Sequence, residues 1–163
     1  MAATQGTQGT QRPEGPQGPQ GPQGLVATAT TTVDATKGRV WTALTEPDEV
    51  KAWFFGTDQK TDWTPGSPIT WSGEWEGKPY EDMGEVVAVD EPNRIEVTHW
   101  SPLTGTDDAP ENYHTLVYAL DEADGGTTVT LTQDNNGDEK EVQQNTENWS
   151  QMLGQLKQHV EAS

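Results

Sequence analysis

From Asp58 onward the chain abandons helical spacing for strict alternation, and it keeps that alternation through six runs in succession, at 59–63, 69–76, 83–90, 94–101, 113–121 and 127–133. The separators TPGSP, EGKPY, DEPN, SPLTGTDDAP and EADGG carry turn chemistry. Parallel neighbours need a crossover of a dozen or more residues, usually helical, and none of these separators supplies one. The six runs are therefore read as an antiparallel meander.

What flanks the meander is of a different kind. LVATATTTVD at 25–34 alternates Leu25, Ala27, Ala29, Thr31 and Val33 against Val26 and threonines, the pattern of a first strand. TKGRVWTALT at 36–45 spaces Val40, Trp41 and Leu44 for one helical face, with Gly38 weakening it. In TEPDEVKAWFF at 45–55, Thr45 and Asp48 resemble a capping box around Pro47, and Val50, Trp53 and Phe54 share a face. The closing segment, 138–163, offers Asp138 as a cap with Glu141 three residues on. Its Val142, Trp149, Met152, Leu153, Leu156 and Val160 form a stripe at helical spacing. A helix of about 24 residues spans roughly 36 Å, and its apolar stripe must lie against the curved sheet. Gly154 costs this helix about 1 kcal/mol relative to alanine.

Residues 1–24 cannot join that core. Glycines at 6, 9, 15, 18, 21 and 24 share a three-residue register, as in EGPQGPQGPQG, but Arg12 occupies a glycine position of the register. Only glycine fits the axis of a collagen triple helix, so the run is too short to trimerise. The segment has no aliphatic residue larger than alanine except Met1. It is expected to be a disordered Gly/Gln/Pro-rich tether, with one domain at 25–163.

The whole net charge of −18 falls on that domain, since the tail holds one Arg and one Glu. Phosphate binding needs clustered Lys and Arg, so the charge disfavours nucleic acid and anionic membranes as partners. The absence of cysteine excludes disulfides, thiol catalysis and Cys-based metal sites. There is no basic start followed by an apolar run, and no stretch near the roughly 20 apolar residues that cross a bilayer. A cytoplasmic location is the default expectation. Leu, Ile, Val and Phe total only 24 residues, a composition that borders on disorder, but seven tryptophans supply large burial per residue. A small core under an acidic shell suits a high-salt interior, where repulsion is screened; a merely acidic mesophile protein is the alternative.

The element order carries a resemblance. VDATKGRVWTALTEPDEVKAWFF at 33–55, WTPGSPITW at 63–71, GEVVAVDEPNRIEVTHW at 84–100, GGTTVTLTQ at 125–133 and NWSQMLGQLKQHVE at 148–161 together resemble the START-like (SRPBCC) superfamily of polyketide cyclases and lipid-transfer domains. Within it they resemble the branch named for activators of the heat-shock-protein-90 ATPase. One departure is Thr36, where that family commonly has proline; threonine can cap the helix instead. The resemblance implies an α+β helix-grip fold, with a curved antiparallel sheet of about seven strands, two short helices after the first strand and a long C-terminal helix. It also implies an apolar cavity, which in relatives holds lipids, polyketides or other hydrophobic molecules; the reading here is a monomer or weak dimer that binds a lipid, polyketide or aromatic molecule without a cofactor. The branch name suggests a chaperone-associated interaction module as the alternative, and the cyclases suggest an aromatase or cyclase. Fold fixes shape more firmly than activity, and no catalytic residue of the cyclases can be matched here position by position.

Candidate cavity residues follow from the alternation. Ile95, Val97 and His99 share a strand face, and His99 could hydrogen-bond a ligand, act as a general base, or simply be satisfied by a neighbouring carbonyl or carboxylate near the rim. Trp71 and Trp75 project from one face and could line a pocket with Trp53, Phe55 and Trp149, or pack as plain core. Met152 lies on the same helical stripe as Trp149. Asn145 interrupts that stripe and either meets a ligand or faces solvent. His99, His114 and His159 have no metal-binding spacing, and DNNGDE at 134–139 lacks glycine at the sixth position, where a calcium loop needs it. No nucleophile elbow, phosphate loop or dinucleotide fingerprint is present.

Overall fold

A computed structural model describes residues 24–163, apart from the side chain of Trp75. The segment expected as a tether falls, up to residue 23, outside the described residues. Seven strands make one sheet: β1 Leu25–Val33, β2 Asp58–Lys60, β3 Pro68–Trp75, β4 Lys78–Asp90, β5 Arg94–His99, β6 His114–Ala123 and β7 Gly126–Asn136. Their order across the sheet is β1-β7-β6-β5-β4-β3-β2, and every pairing is antiparallel. The meander thus runs from β2 to β7, and β1 closes onto β7. Helices α1 Lys37–Thr45 and α2 Pro47–Trp53 follow β1, and α3 Glu139–Glu161 ends the chain. This is the α+β helix-grip architecture that the element order implies.

Local chemistry explains most boundaries. Thr36 caps α1, its Oγ1 accepting from the Arg39 N–H at 3.1 Å. Asp138 caps α3, its Oδ1 accepting from the Glu141 N–H at 2.8 Å, while Glu141 reaches back to accept from the Gly137 N–H at 2.8 Å. The expected box at Thr45 is not formed. Glu46 is the N-cap of α2, without a side-chain bond, because Thr45 sits in the last turn of α1 and donates its hydroxyl to the Trp41 carbonyl. Pro47 still opens α2, with Asp48 and Glu49 in the first turn, where carboxylates favour the helix dipole.

Two strand limits differ from the alternation pattern. β2 stops at Lys60 rather than at Trp63, because Asp62 Oδ1 accepts from the Thr64 N–H in a local turn and Trp63 takes φ +63°. EGKPY is not a five-residue turn: only Glu76 and Gly77 turn, both at positive φ, and Lys78 already pairs with Trp75. β4 therefore runs for 13 residues. Pro79 is tolerated because β5 pairs only with the far end of β4, leaving Pro79 in a stretch bordered by β3 alone. Further along, β4 and β5 approach so closely that a Cβ on Gly84 would lie 1.8 Å from the Thr98 carbonyl oxygen.

The core lies between the sheet and the helices. Ala27, Ala29 and Val33 of β1, Val129 and Leu131 of β7, and Leu120 of β6 are buried, and so are Val40 and Leu44 of α1. α3 packs chiefly along β1, with further contact to β7, α1 and α2. Its burial is uneven: Met152, Leu153, Leu156 and Val160 are buried, whereas no residue from Glu139 to Gln151 is. Val142 and Trp149, expected in the buried stripe, are only half-buried. The far end of α3 is tied to the first two helices through Glu49, which accepts from Arg39 Nη1 at 2.9 Å and His159 Nε2 at 2.8 Å. Among the described residues, no helix is long and apolar enough to cross a membrane.

Candidate functional site

Where α3 loosens, the sheet and the α2–β2 turn enclose a cleft. Its floor follows from the cross-strand register. Gln59, Trp71 and Asp82 are direct partners across β2, β3 and β4, so they stand on one face. Ile95 faces Tyr118 and Val97 faces Leu116 across β5 and β6. The roof is Leu44, Trp53 and Phe54. Gln59 fixes the apolar end: its amide donates to the Leu44 carbonyl at 3.0 Å, and its Oε1 accepts from Trp71 Nε1 at 2.8 Å. Trp53 Nε1 donates to the Ala43 carbonyl at 2.8 Å. These bonds satisfy two buried indoles and hold their rings in place.

The space that remains is divided in two by Phe54, Trp71 and Tyr118, which border both parts. The inner part measures about 10 Å³ and is walled by Ile69, Trp53 and Trp63 among others. The outer part measures about 40 Å³ and is bordered by Thr57, Tyr80, Asp82, His99, Leu116 and Trp149 as well. A single water needs roughly 10–15 Å³, so both are water-sized in this conformation and neither encloses a lipid chain.

Chemistry concentrates in the outer part. His99 Nε2 and Asp82 Oδ2 are 3.0 Å apart, and the Trp71 ring meets the His99 ring edge-on at 5.1 Å. The other atoms of this pair, Asp82 Oδ1 and His99 Nδ1, are buried and have no partner among the described residues. Tyr80 lies against Gly73, its cross-strand partner, where a Cβ would come within 3.0 Å of the phenol oxygen. That packing brings Tyr80 Oη to 2.8 Å from Thr57 Oγ1. Burial pushes the Tyr118 phenol above its ordinary pKa, so it stays protonated. Trp149 leans over the opening with Nε1 donating to Gln133 Oε1.

The residues singled out from the sequence are distributed unequally. Trp53, Trp71, His99 and Trp149 meet at the cleft. Phe55 does not: α2 ends at Trp53, the chain turns with Phe55 at φ +52°, and the residue is 56% exposed, while Phe54 takes the place at the cleft. Met152 is fully buried in the core beneath α3 and borders neither space. Asn145 is half-buried and donates to Asn136 Oδ1 at 2.7 Å, tying α3 to the end of β7. The Trp75 side chain lies outside the described residues. Tyr80 lies within EGKPY, which carries turn chemistry, and Asp82 precedes the strand expected from Met83; with β4 beginning at Lys78, alternation puts both on the face of Trp71. Tyr118, between the buried Leu116 and Leu120 of β6, was legible by alternation.

A bent antiparallel sheet gripping a C-terminal helix, with an aromatic cleft at the looser end, defines a helix-grip domain of the START-like class. The chain belongs to the family described as activator of Hsp90 ATPase homolog 1-like protein, whose model matches residues 34–161. The solution structure of ChR145 from Cytophaga hutchinsonii is 42% identical, covers 88% of this chain and 97% of its own, and superposes with a TM-score of 0.75. Two more distant structures share the fold. DynU16, a protein of the dynemicin biosynthetic locus, is 22% identical over 83% of this chain and 47% of its own, with a TM-score of 0.70. The Aha1 dimer from Colwellia psychrerythraea is 18% identical over 84% and 96%, with a TM-score of 0.66. No curated protein matches the chain.

Proposed function

We propose that the cleft takes up a small, flat, largely apolar molecule with one polar end. The observation that carries this reading is the Asp82–His99 pair, set among Trp71, Tyr118 and Trp149 with one buried atom of each partner left unpaired. A buried polar atom without a partner costs about 1–3 kcal/mol, and a guest that reaches these atoms recovers that cost. Aromatic walls with few polar groups suit a planar ring. Since the cleft is water-sized as it stands, Phe54 and Trp149 must move aside to admit a ring, and a small aromatic needs less movement than an acyl chain.

Titrating small aromatic compounds and, separately, fatty acids into ¹⁵N-labelled protein tests this, with the tryptophan indole N–H signals as reporters. Saturable shifts confined to Trp71 and Trp149 are expected from the aromatic compounds. Shifts scattered over exposed residues, or none, would remove the reading. A second reading follows from the family match: contact with a chaperone ATPase. Its measure is the steady-state ATP turnover of a heat-shock-protein-90 chaperone with and without this protein, and an unchanged rate counts against it.

A further inference from the structure

The polar end of the cleft discriminates by charge, and we infer that its guest is a small aromatic cation, an arylalkyl ammonium or amidinium, rather than a carboxylic acid. This rests on the cleft-binding reading above and narrows it to a ligand class. Neither Lys nor Arg borders either part of the cleft, and Asp82 is the carboxylate that does. With Asp82 Oδ2 engaged by His99 Nε2, the unpaired Oδ1 can only accept. When His99 gives its Nε2 proton to that bond, its unpaired Nδ1 is an acceptor as well. An ammonium offers three donors and an amidinium four, against at most one from an alcohol and none from a carboxylate.

The walls agree with the polar end. Trp71, Tyr80, Tyr118, Phe54 and Trp149 all line the same space, and the negative faces of aromatic rings attract a cation that has lost its water. The domain's net charge of −18 draws cations toward the surface and repels anions. A fatty acid or aryl carboxylate would bring a second negative charge beside Asp82 with no basic side chain to offset it.

Three probes of nearly the same size separate the possibilities: benzylammonium, benzyl alcohol and benzoate, each titrated into the full chain at 0.1 M and 1 M KCl with the indole signals recorded. Benzylammonium should shift Trp71 and Trp149 saturably, with an affinity at least about tenfold above that of benzoate, and should still do so at 1 M KCl, where loose surface binding is screened. Asp82→Asn should weaken benzylammonium by about tenfold and benzyl alcohol, whose single donor the amide oxygen can still accept, by much less. The Trp71–Gln59 indole signal, held by a bond that Asp82 does not share, reports whether the variant is folded. If benzyl alcohol or benzoate binds as well as benzylammonium, or Asp82→Asn weakens all three alike, the cation assignment fails and the cleft-binding reading stands. If none of the three shifts Trp71 or Trp149, both fall.

Discussion

Gly154 lies in the gripped half of α3, between the buried Leu153 and Leu156. Glycine in a helix interior is about 0.8–1 kcal/mol less favourable than alanine, because it gains more freedom on unfolding and lacks a side chain to shield the backbone. That propensity is recovered only if the added methyl fits. A Cβ built at Gly154 finds nothing within 4 Å, so no neighbour must move and little apolar surface is newly covered. Gly154→Ala should therefore raise unfolding free energy by about 1 kcal/mol, the propensity term alone. For a domain of this size that is a rise in melting temperature of roughly 3–5 °C. Urea titration gives the cleaner number, since an unchanged slope with a higher midpoint identifies a stability change without a change in the exposed surface. A variant no more stable than the parent would refute the reasoning, because it would mean that α3 is not a continuous helix through residue 154 in solution.

Gly84→Ala should have the opposite effect: its Cβ would sit 1.8 Å from the Thr98 carbonyl oxygen, part of a strand that cannot step aside, so a loss of more than about 4 kcal/mol or failure to fold is expected by circular dichroism. Glu49→Gln tests the helix tie. Burial alone would raise the Glu49 pKa, but hydrogen bonds from His159 and Arg39 outweigh it and hold the carboxyl below 4.5. Its stabilisation is therefore complete at neutral pH and is lost as pH falls through the folded value, so the stability gap between parent and variant should be widest near pH 7 and close below pH 4.5. Raising KCl from about 0.1 M to 1 M shortens the screening length from about 10 Å to 3 Å. The unfolding midpoint should rise with it, given a net charge of −18; equal midpoints would show that repulsion is already balanced. Amide exchange should be faster across 142–150 than across 152–160, and uniform protection along α3 would contradict the burial pattern.

The fold was legible because two physical signals agreed. Alternation at Ile95 and Val97 or Leu116 and Leu120 put large residues on one face, and each pair is buried. The stripe from Met152 to Val160 gave the gripped helix directly. Boundaries failed where a short-range bond overrode pattern: Thr45 bonds backward to Trp41 instead of capping α2, and Lys78 enters β4 after a two-residue turn. The second failure mattered most, since it hid Tyr80 and Asp82. His99 was visible, but its carboxylate partner stands 17 residues earlier in the chain. A pair so separated is set by register, and register is not readable from alternation when a strand's start is misplaced by several residues. Phe55, expected at the cavity, fails for a different reason, and Phe54, which helical spacing puts on the face of Val50 and Trp53, takes its place. Both follow the last turn of α2, and the backbone reversal at Phe55 decides which ring turns inward.

The uneven hold on α3 gives the cleft a way to open. From Met152 to Val160 the helix is fastened by apolar burial, which water cannot replace. From Glu139 to Gln151 it is fastened by the Asp138 cap, by Asn145 to Asn136 and by Trp149 to Gln133. Each of these is a hydrogen bond that water can take over at a net cost of about 0.5–1.5 kcal/mol. Displacing Trp149 therefore breaks one exchangeable bond and uncovers the part of its ring that packs on the core, while the gripped half stays intact. Trp71 is held differently, by a buried bond to Gln59 that is itself tied to the Leu44 carbonyl. The two indoles that border the same space are thus held unequally; under the binding proposal, Trp71 would be the fixed wall and Trp149 the part that yields. Opening confined to the less buried end of α3 is the kind of local unfolding from which binding regions are drawn, and under the binding proposal it would reconcile a water-sized cleft with a guest larger than water.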